Sequence, residues 1–130
     1  MNLVKHAISE LQAEMLTMPQ VECEVFHHFA EGTYTRELHI PAGTTLVGKI
    51  HLHSTINILA KGRIAVVTDD GKQYEIEAPY TFVSAAGTKK AGHAVEDTVW
   101  INVHPWSGPE DLELIEQAVI AREALDLKES

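Results

Sequence analysis

Between Val21 and His104 the chain is cut at short, even intervals by turn-forming residues, a spacing that suits strands and is too tight for ordinary helices. The breaks fall at Glu31-Gly32, Pro41-Ala42-Gly43, Lys61-Gly62, Asp69-Asp70-Gly71, Ala85-Ala86-Gly87 and Glu96-Asp97. The segments between them predict strands over Val21 to Phe29, Tyr34 to Ile40, Thr44 to His53, Asn57 to Ala60, Arg63 to Thr68, Lys72 to Glu77, Tyr80 to Ser84, Lys89 to Val95 and Thr98 to His104. Asp-Asp-Gly between two apolar runs is a strong hairpin signal, because glycine accepts the positive φ a tight hairpin turn demands. Eight or nine short strands at this spacing close into a barrel or a two-sheet jelly roll.

The two ends of the chain read differently. Val4, Ile8, Leu11 and Met15 recur at helical spacing over residues 3 to 16, and Pro19 marks the exit. A second helix is predicted from Glu110 to Leu127, capped by Ser107 or Gly108, with Pro109 in its first turn and Leu112, Ile115, Ala118, Val119 and Leu125 as its apolar stripe. The expected organisation is one domain: a helix over 1–20, a barrel over 21–106 and a helix over 107–130.

Charge excludes one class of partner. A net charge of −9, with Lys89-Lys90 as the only basic pair, leaves no footprint for nucleic acid, since phosphate contacts need clustered lysine and arginine. No apolar run approaches the roughly 20 residues that span a bilayer, so no membrane partner is expected. The single cysteine, Cys23, forbids an intrachain disulfide, and the start of the chain lacks the apolar core of a secretory signal; both fit a cytoplasmic setting.

Eight histidines stand in the chain, and two of them, His51 and His53, alternate across Leu52. On a strand such residues project from one face, and neutral imidazole is a good ligand for borderline transition metals. The segment from Pro41-Ala42-Gly43 through His51-Leu52-His53, Asn57 and Lys61-Gly62 resembles the first motif of the cupins. In that motif a His-x-His pair is followed by a glutamate and then by a strand-ending glycine. Asn57 takes the glutamate's place here. The second cupin motif ends in a histidine, and in Ala85-Ala86-Gly87-Thr88-Lys89-Lys90 that place falls to Lys90, with no proline at its start. The resemblance covers roughly residues 38 to 104. It implies an all-β double-stranded β-helix, here flanked by N- and C-terminal helices. The whole chain is also similar to small single-domain cupins of phages and bacteria, a group that transfers no activity.

If Glu96-Asp97 is a two-residue hairpin turn, Val95 pairs with Thr98, His93 with Trp100, Ala91 with Asn102 and Lys89 with His104. His93, Trp100, Asn102 and His104 then share one face, and Lys90 takes the other. The expected metal ligands are His51, His53 and His104, with His93 competing for the third place and Asn57 as a weak ligand or a support beside the metal. Arg36, Trp100 and Asn102 are expected to line the pocket, Arg36 as an anchor for an anion. His27 and His28 are adjacent and must face opposite ways, so at most one looks inward.

The cofactor expected is one divalent transition metal (zinc, iron, manganese, nickel or copper), and the partners a small-molecule ligand and a second copy of the chain in a homodimer. The reading that follows is metal-dependent chemistry on a small polar metabolite, of the isomerase, lyase or dioxygenase type. The alternative is a non-catalytic ligand-binding or phage accessory cupin. No residue is assigned a catalytic role.

Overall fold

A computed structural model describes residues 23–120 of the chain. The helix expected over residues 3 to 16 lies outside them. Nine strands run in order: β1 (Glu24–Ala30), β2 (Thr33–Ile40), β3 (Thr45–Val47), β4 (Thr55–Lys61), β5 (Arg63–Thr68), β6 (Gln73–Glu77), β7 (Tyr80–Ser84), β8 (Lys90–Ala94) and β9 (Thr98–Pro105). A helix, α1 (Leu112–Val119), follows. Among the described residues these strands pair antiparallel, in a five-stranded sheet ordered β1-β2-β9-β4-β7 and a four-stranded sheet ordered β3-β8-β5-β6.

Period-two burial holds the sheets face to face. Thr55, Asn57 and Leu59 are buried along β4, and Ile64, Val66 and Thr68 along β5. Ile40, Leu59, Ile64, Val66, Ile76 and Ala94 form the core between the sheets, with Leu38, Phe82 and Trp100 packed against it. The expected hairpin at Asp69-Asp70-Gly71 is present: Thr68 N donates to Lys72 O, and Gly71 has φ 87°.

The predicted β8–β9 hairpin is not formed. β8 pairs with β3 and β5, whereas β9 pairs with β2 and β4 in the other sheet. The reason lies in contacts distant in sequence: Val95 N and Glu96 N both donate to Arg63 O, and the Asp97 carboxylate accepts from Ala42 N at 2.8 Å. These bonds make Val95–Asp97 a corner that carries the chain from one sheet to the other. The strand expected over Thr44 to His53 is also shorter, ending at Val47. Gly48 N makes a last bond to Lys90 O, and the chain then leaves the sheet to cover one end of the barrel.

That end is met by α1. Asp111, not Ser107 or Gly108, caps it, accepting from Glu113 N and Leu114 N. Ile115 and Val119, one turn apart, are its buried residues and pack on Tyr34 of β2, while Leu112 and Ala118 stay exposed. The helix stops at Val119. Ile120 is already extended (φ −109°, ψ 131°) and bridges His51, and Leu52 N donates to Val119 O. The helix therefore walls the barrel's open end, and the rest of the predicted helix falls beyond the described residues.

Gly62, the glycine of the cupin-like stretch, joins β4 to β5 at φ 89°, and a Cβ there would lie 2.8 Å from Thr98 Cα and close against Asp97 O. Gly62→Ala is expected to lower the unfolding free energy by about 2 kcal/mol, read from urea melts. An unchanged midpoint would remove this close approach from the account of the fold.

Candidate metal centre

Residues directly opposed across antiparallel strands share a face, so the five-stranded sheet presents its inner side chains in rows. One row runs His27, Arg36, Asn102, Asn57, Phe82 across β1, β2, β9, β4 and β7. Two residues nearer the core lies Leu38, Trp100, Leu59. Two residues the other way lies Tyr34, opposite His104. The inner face thus passes from apolar at the closed end to polar at the end walled by α1. A cavity of about 500 Å³ opens there.

His104, 2% exposed, is the centre of an aromatic cluster. The His51 ring stands edge-on to it at 5.0 Å between centroids, the His53 ring edge-on at 5.7 Å, and the Tyr34 ring is stacked on it at 5.8 Å. The three expected ligands therefore come together, although not for the reason the sequence suggested. His51 and His53 lie on an irregular segment, pinned by the Ile120 bridge and by Gly87 N donating to His51 O. His51 and His104 line the cavity; His53 abuts His104 without being a lining residue.

Burial, with His104, Lys90, His53 and Arg36 nearby, pushes His51 down to about 4. Burial, with His53 and Arg36, does the same to His104. Both are neutral imidazoles near pH 7, the form that binds metal. His53 Nδ1 lies 2.9 Å from Ser54 O, and a carbonyl only accepts, so Nδ1 carries the proton. The lone pair of neutral His53 is then on Nε2, which is buried with no hydrogen-bond partner. His104 Nδ1 is likewise buried and unpartnered. A histidine that donates one ring N–H to a backbone carbonyl and leaves the other nitrogen bare has the arrangement of a metal ligand. As the side chains stand, no three His, Cys, Asp or Glu residues among those described are placed to hold a metal ion. The donor set fits a divalent transition metal in chemistry, and three-point ligation requires the rings to turn.

Asn57 is wholly buried and acts as a hub. Its Oδ1 accepts from Asn102 Nδ2 (2.7 Å), Trp100 Nε1 (3.1 Å) and Lys90 Nζ (3.3 Å), and its Nδ2 donates to Ser84 Oγ (2.9 Å) and Thr55 O (3.1 Å). An oxygen already taken by three donors is not available as a ligand, so Asn57 supports the site rather than binding in it. Lys90 reaches this hub from the opposite sheet. It points into the barrel, contrary to the face the hairpin register predicted, and its Nζ also lies 3.3 Å from Ser84 Oγ and over the rings of Phe82 and Trp100. Burial pulls its ammonium down to about 8.

Arg36, Trp100 and Asn102 line the cavity as expected. His93 does not. It is exposed on the outer face of β8, where Nδ1 lies 2.7 Å from Thr45 Oγ1, so it is no competitor for the metal. Removing the β8–β9 pairing removes the reason to place it inside. His28 and His39 share Glu37 on the outside of β1 and β2. His27 is the inward member of the His27-His28 pair: it lines the cavity mouth and its Nδ1 lies 2.7 Å from the Tyr34 hydroxyl. Burial and the Arg36 charge hold His27 below its ordinary value, while burial raises Tyr34. Period-two alternation offered His27 and His28 equally, and only the pairing with Arg36 decides between them.

No protein-family model and no curated protein matches the chain. Solved structures do match. Ectoine synthase from P. lautus aligns with a TM-score of 0.62 at 13% identity, over 80% of this chain and 78% of that one. A variant of salicylate 1,2-dioxygenase from Pseudoaminobacter salicylatoxidans, in complex with gentisate, aligns at 0.60 and 15% identity, over 89% of this chain but 34% of the dioxygenase. A cupin-2 domain containing protein from Shewanella frigidimarina aligns at 0.51 and 11% identity, over 74% of this chain and 92% of that one. These comparisons lend no support to the likeness with phage proteins. Two antiparallel sheets closed around a pocket at one end, and these neighbours, give one answer: the chain has the fold of a small cupin.

Proposed function

We propose that the chain is a metal-binding cupin in which His51, His53 and His104 hold one divalent transition metal, and that it performs metal-dependent chemistry on a small polar metabolite, of the isomerase, lyase or dioxygenase type. The observation that carries this is the pair of buried, unpartnered ring nitrogens, His53 Nε2 and His104 Nδ1, in rings 5.7 Å apart. Leaving such atoms bare costs about 1–3 kcal/mol each, a cost that coordination removes. Two structural neighbours are named as a synthase and a dioxygenase, which supports catalysis on this scaffold. A bound metal would act as a Lewis acid on a substrate oxygen. Around it, Arg36 and Asn102 would orient the ligand, and the apolar wall of Ile115 and Val119 would limit water.

A second reading, a non-catalytic binding module, is favoured by a different observation. The place of the cupin glutamate holds Asn57, saturated by protein donors, and the place of the last histidine holds Lys90. The test is elemental analysis of protein purified without a histidine tag. About one metal ion per chain is expected in the wild type, with most of it lost in each of His51→Ala, His53→Ala and His104→Ala. Full metal content in the variants sinks the ligand assignment, and a metal-free wild type that remains folded selects the binding module.

A further inference from the structure

The cavity is positively charged inside a protein of net charge −9. Its charged lining residues are Arg36, Lys49, Lys90 and Glu116, and Lys49 and Glu116 pair with each other at 2.9 Å. That leaves Arg36 and Lys90, both partly buried, and neither has an acidic partner among the described residues. A partly buried cation contacting only neutral groups is destabilised, and the depressed value of Lys90 follows from burial alone, with no carboxylate to offset it.

The two cations converge on one patch. Arg36 is the cross-strand partner of Asn102, and Asn102 is in turn the partner of Asn57, whose Oδ1 takes the Lys90 ammonium. Strand spacing puts Arg36 and Asn57 about 10 Å apart at Cα, with Asn102 between them. Away from the His27, Tyr34, His51 and His104 side chains the wall is largely apolar: Leu38, Leu46, Val66, Ile115 and Val119, with the face of Trp100 beneath Lys90.

We propose that this cavity binds a small carboxylate with an apolar body, its carboxylate held over Asn102 by Lys90 and Arg36. This deepens the proposed function by naming the substrate class, and it rests on the same cavity but not on the metal. A carboxylate supplies the missing counter-charge for both cations, and guanidinium takes it in a two-pronged bond that no neutral group reproduces. The apolar wall then takes the body, which separates such a ligand from inorganic anions.

The experiment is titration calorimetry on chelator-treated, folded protein with benzoate, with benzamide as the neutral mimic and with inorganic phosphate. Benzoate is expected to bind at least about tenfold tighter than benzamide, which is about 1.4 kcal/mol, and tighter than phosphate. Lys90→Met and Arg36→Met are each expected to weaken benzoate about tenfold or more and to leave benzamide unchanged. If either variant does not fold, the three-ligand comparison on the wild type still decides. Absent benzoate binding, binding no better than benzamide or phosphate, or full benzoate affinity in the folded variants overturns the proposal. Because metal is removed, failure here is separate from failure of the histidine site, which elemental analysis reads.

Discussion

Asn57→Ala is expected to destabilise the protein by about 4 kcal/mol, more than any other polar substitution in the barrel. The amide makes five hydrogen bonds, three accepted and two donated, at the point where β4 meets β9 and β7. Alanine removes the acceptor shared by Asn102, Trp100 and Lys90, which leaves the first two donors in a site that water reaches poorly and Lys90 with Ser84 Oγ alone. A buried donor without a partner costs about 1–3 kcal/mol, and a charged one more, so the loss exceeds the worth of one ordinary bond. Asn57→Asp separates this account from simple volume loss. It keeps the acceptor and sets a carboxylate beside the Lys90 ammonium; the bond to Thr55 O is lost and a carboxylate oxygen faces that carbonyl, while the Ser84 hydroxyl can turn to donate. The aspartate variant is expected to be clearly more stable than the alanine variant near neutral pH, read as urea midpoints at unchanged slope. Equal stability of the two, or an alanine variant within about 1 kcal/mol of wild type, would show that the network contributes little.

This hub also shows how far sequence carries and where it stops. Apolar alternation and turn residues placed β5 at Arg63–Thr68 and β7 at Tyr80–Ser84 with the bounds the structure has. Alternation along β9 put Trp100, Asn102 and His104 on one face, which is the inner one. Those are local properties, fixed by a period of two. The pairing of β8 is not local. Adjacent strands joined by a short turn normally form a hairpin, and here the bonds to Arg63 O and from Ala42 N to Asp97 divide them between two sheets instead. From that one event follow both corrected placements, His93 outward and Lys90 inward. His51 and His53 met His104 as expected, but through a loop tied to the end of α1, a tertiary contact that no window of sequence contains.

Acidification from about pH 7 to about pH 5 is expected to destabilise the metal-free protein steeply, before the carboxylates titrate. His51 and His104 have values of about 4 in the fold against 6.5 when exposed. As pH falls through 6.5 the unfolded chain takes up protons on both residues while the folded chain does not. The unfolded state binds more protons throughout that window, so stability falls with acid, with no further loss from these groups once pH is below about 4. Above 6.5 both states are neutral at these residues and the term is constant. For His104, which is almost fully buried, the full window corresponds to about 3 kcal/mol. His51 adds to it by less than its own shift implies, because each ring's charge opposes protonation of the other. Glu37 and Asp70, held below the usual carboxylate range by hydrogen bonds, act in the same direction only at lower pH, so the interval above about pH 5 isolates the imidazoles. Urea unfolding in the presence of chelator, repeated across that interval, checks the expectation, and His104→Leu should flatten the profile. A wild-type profile already flat there would mean that His51 and His104 accept protons in the fold as readily as in water, and that the pocket is far wetter than its lining suggests.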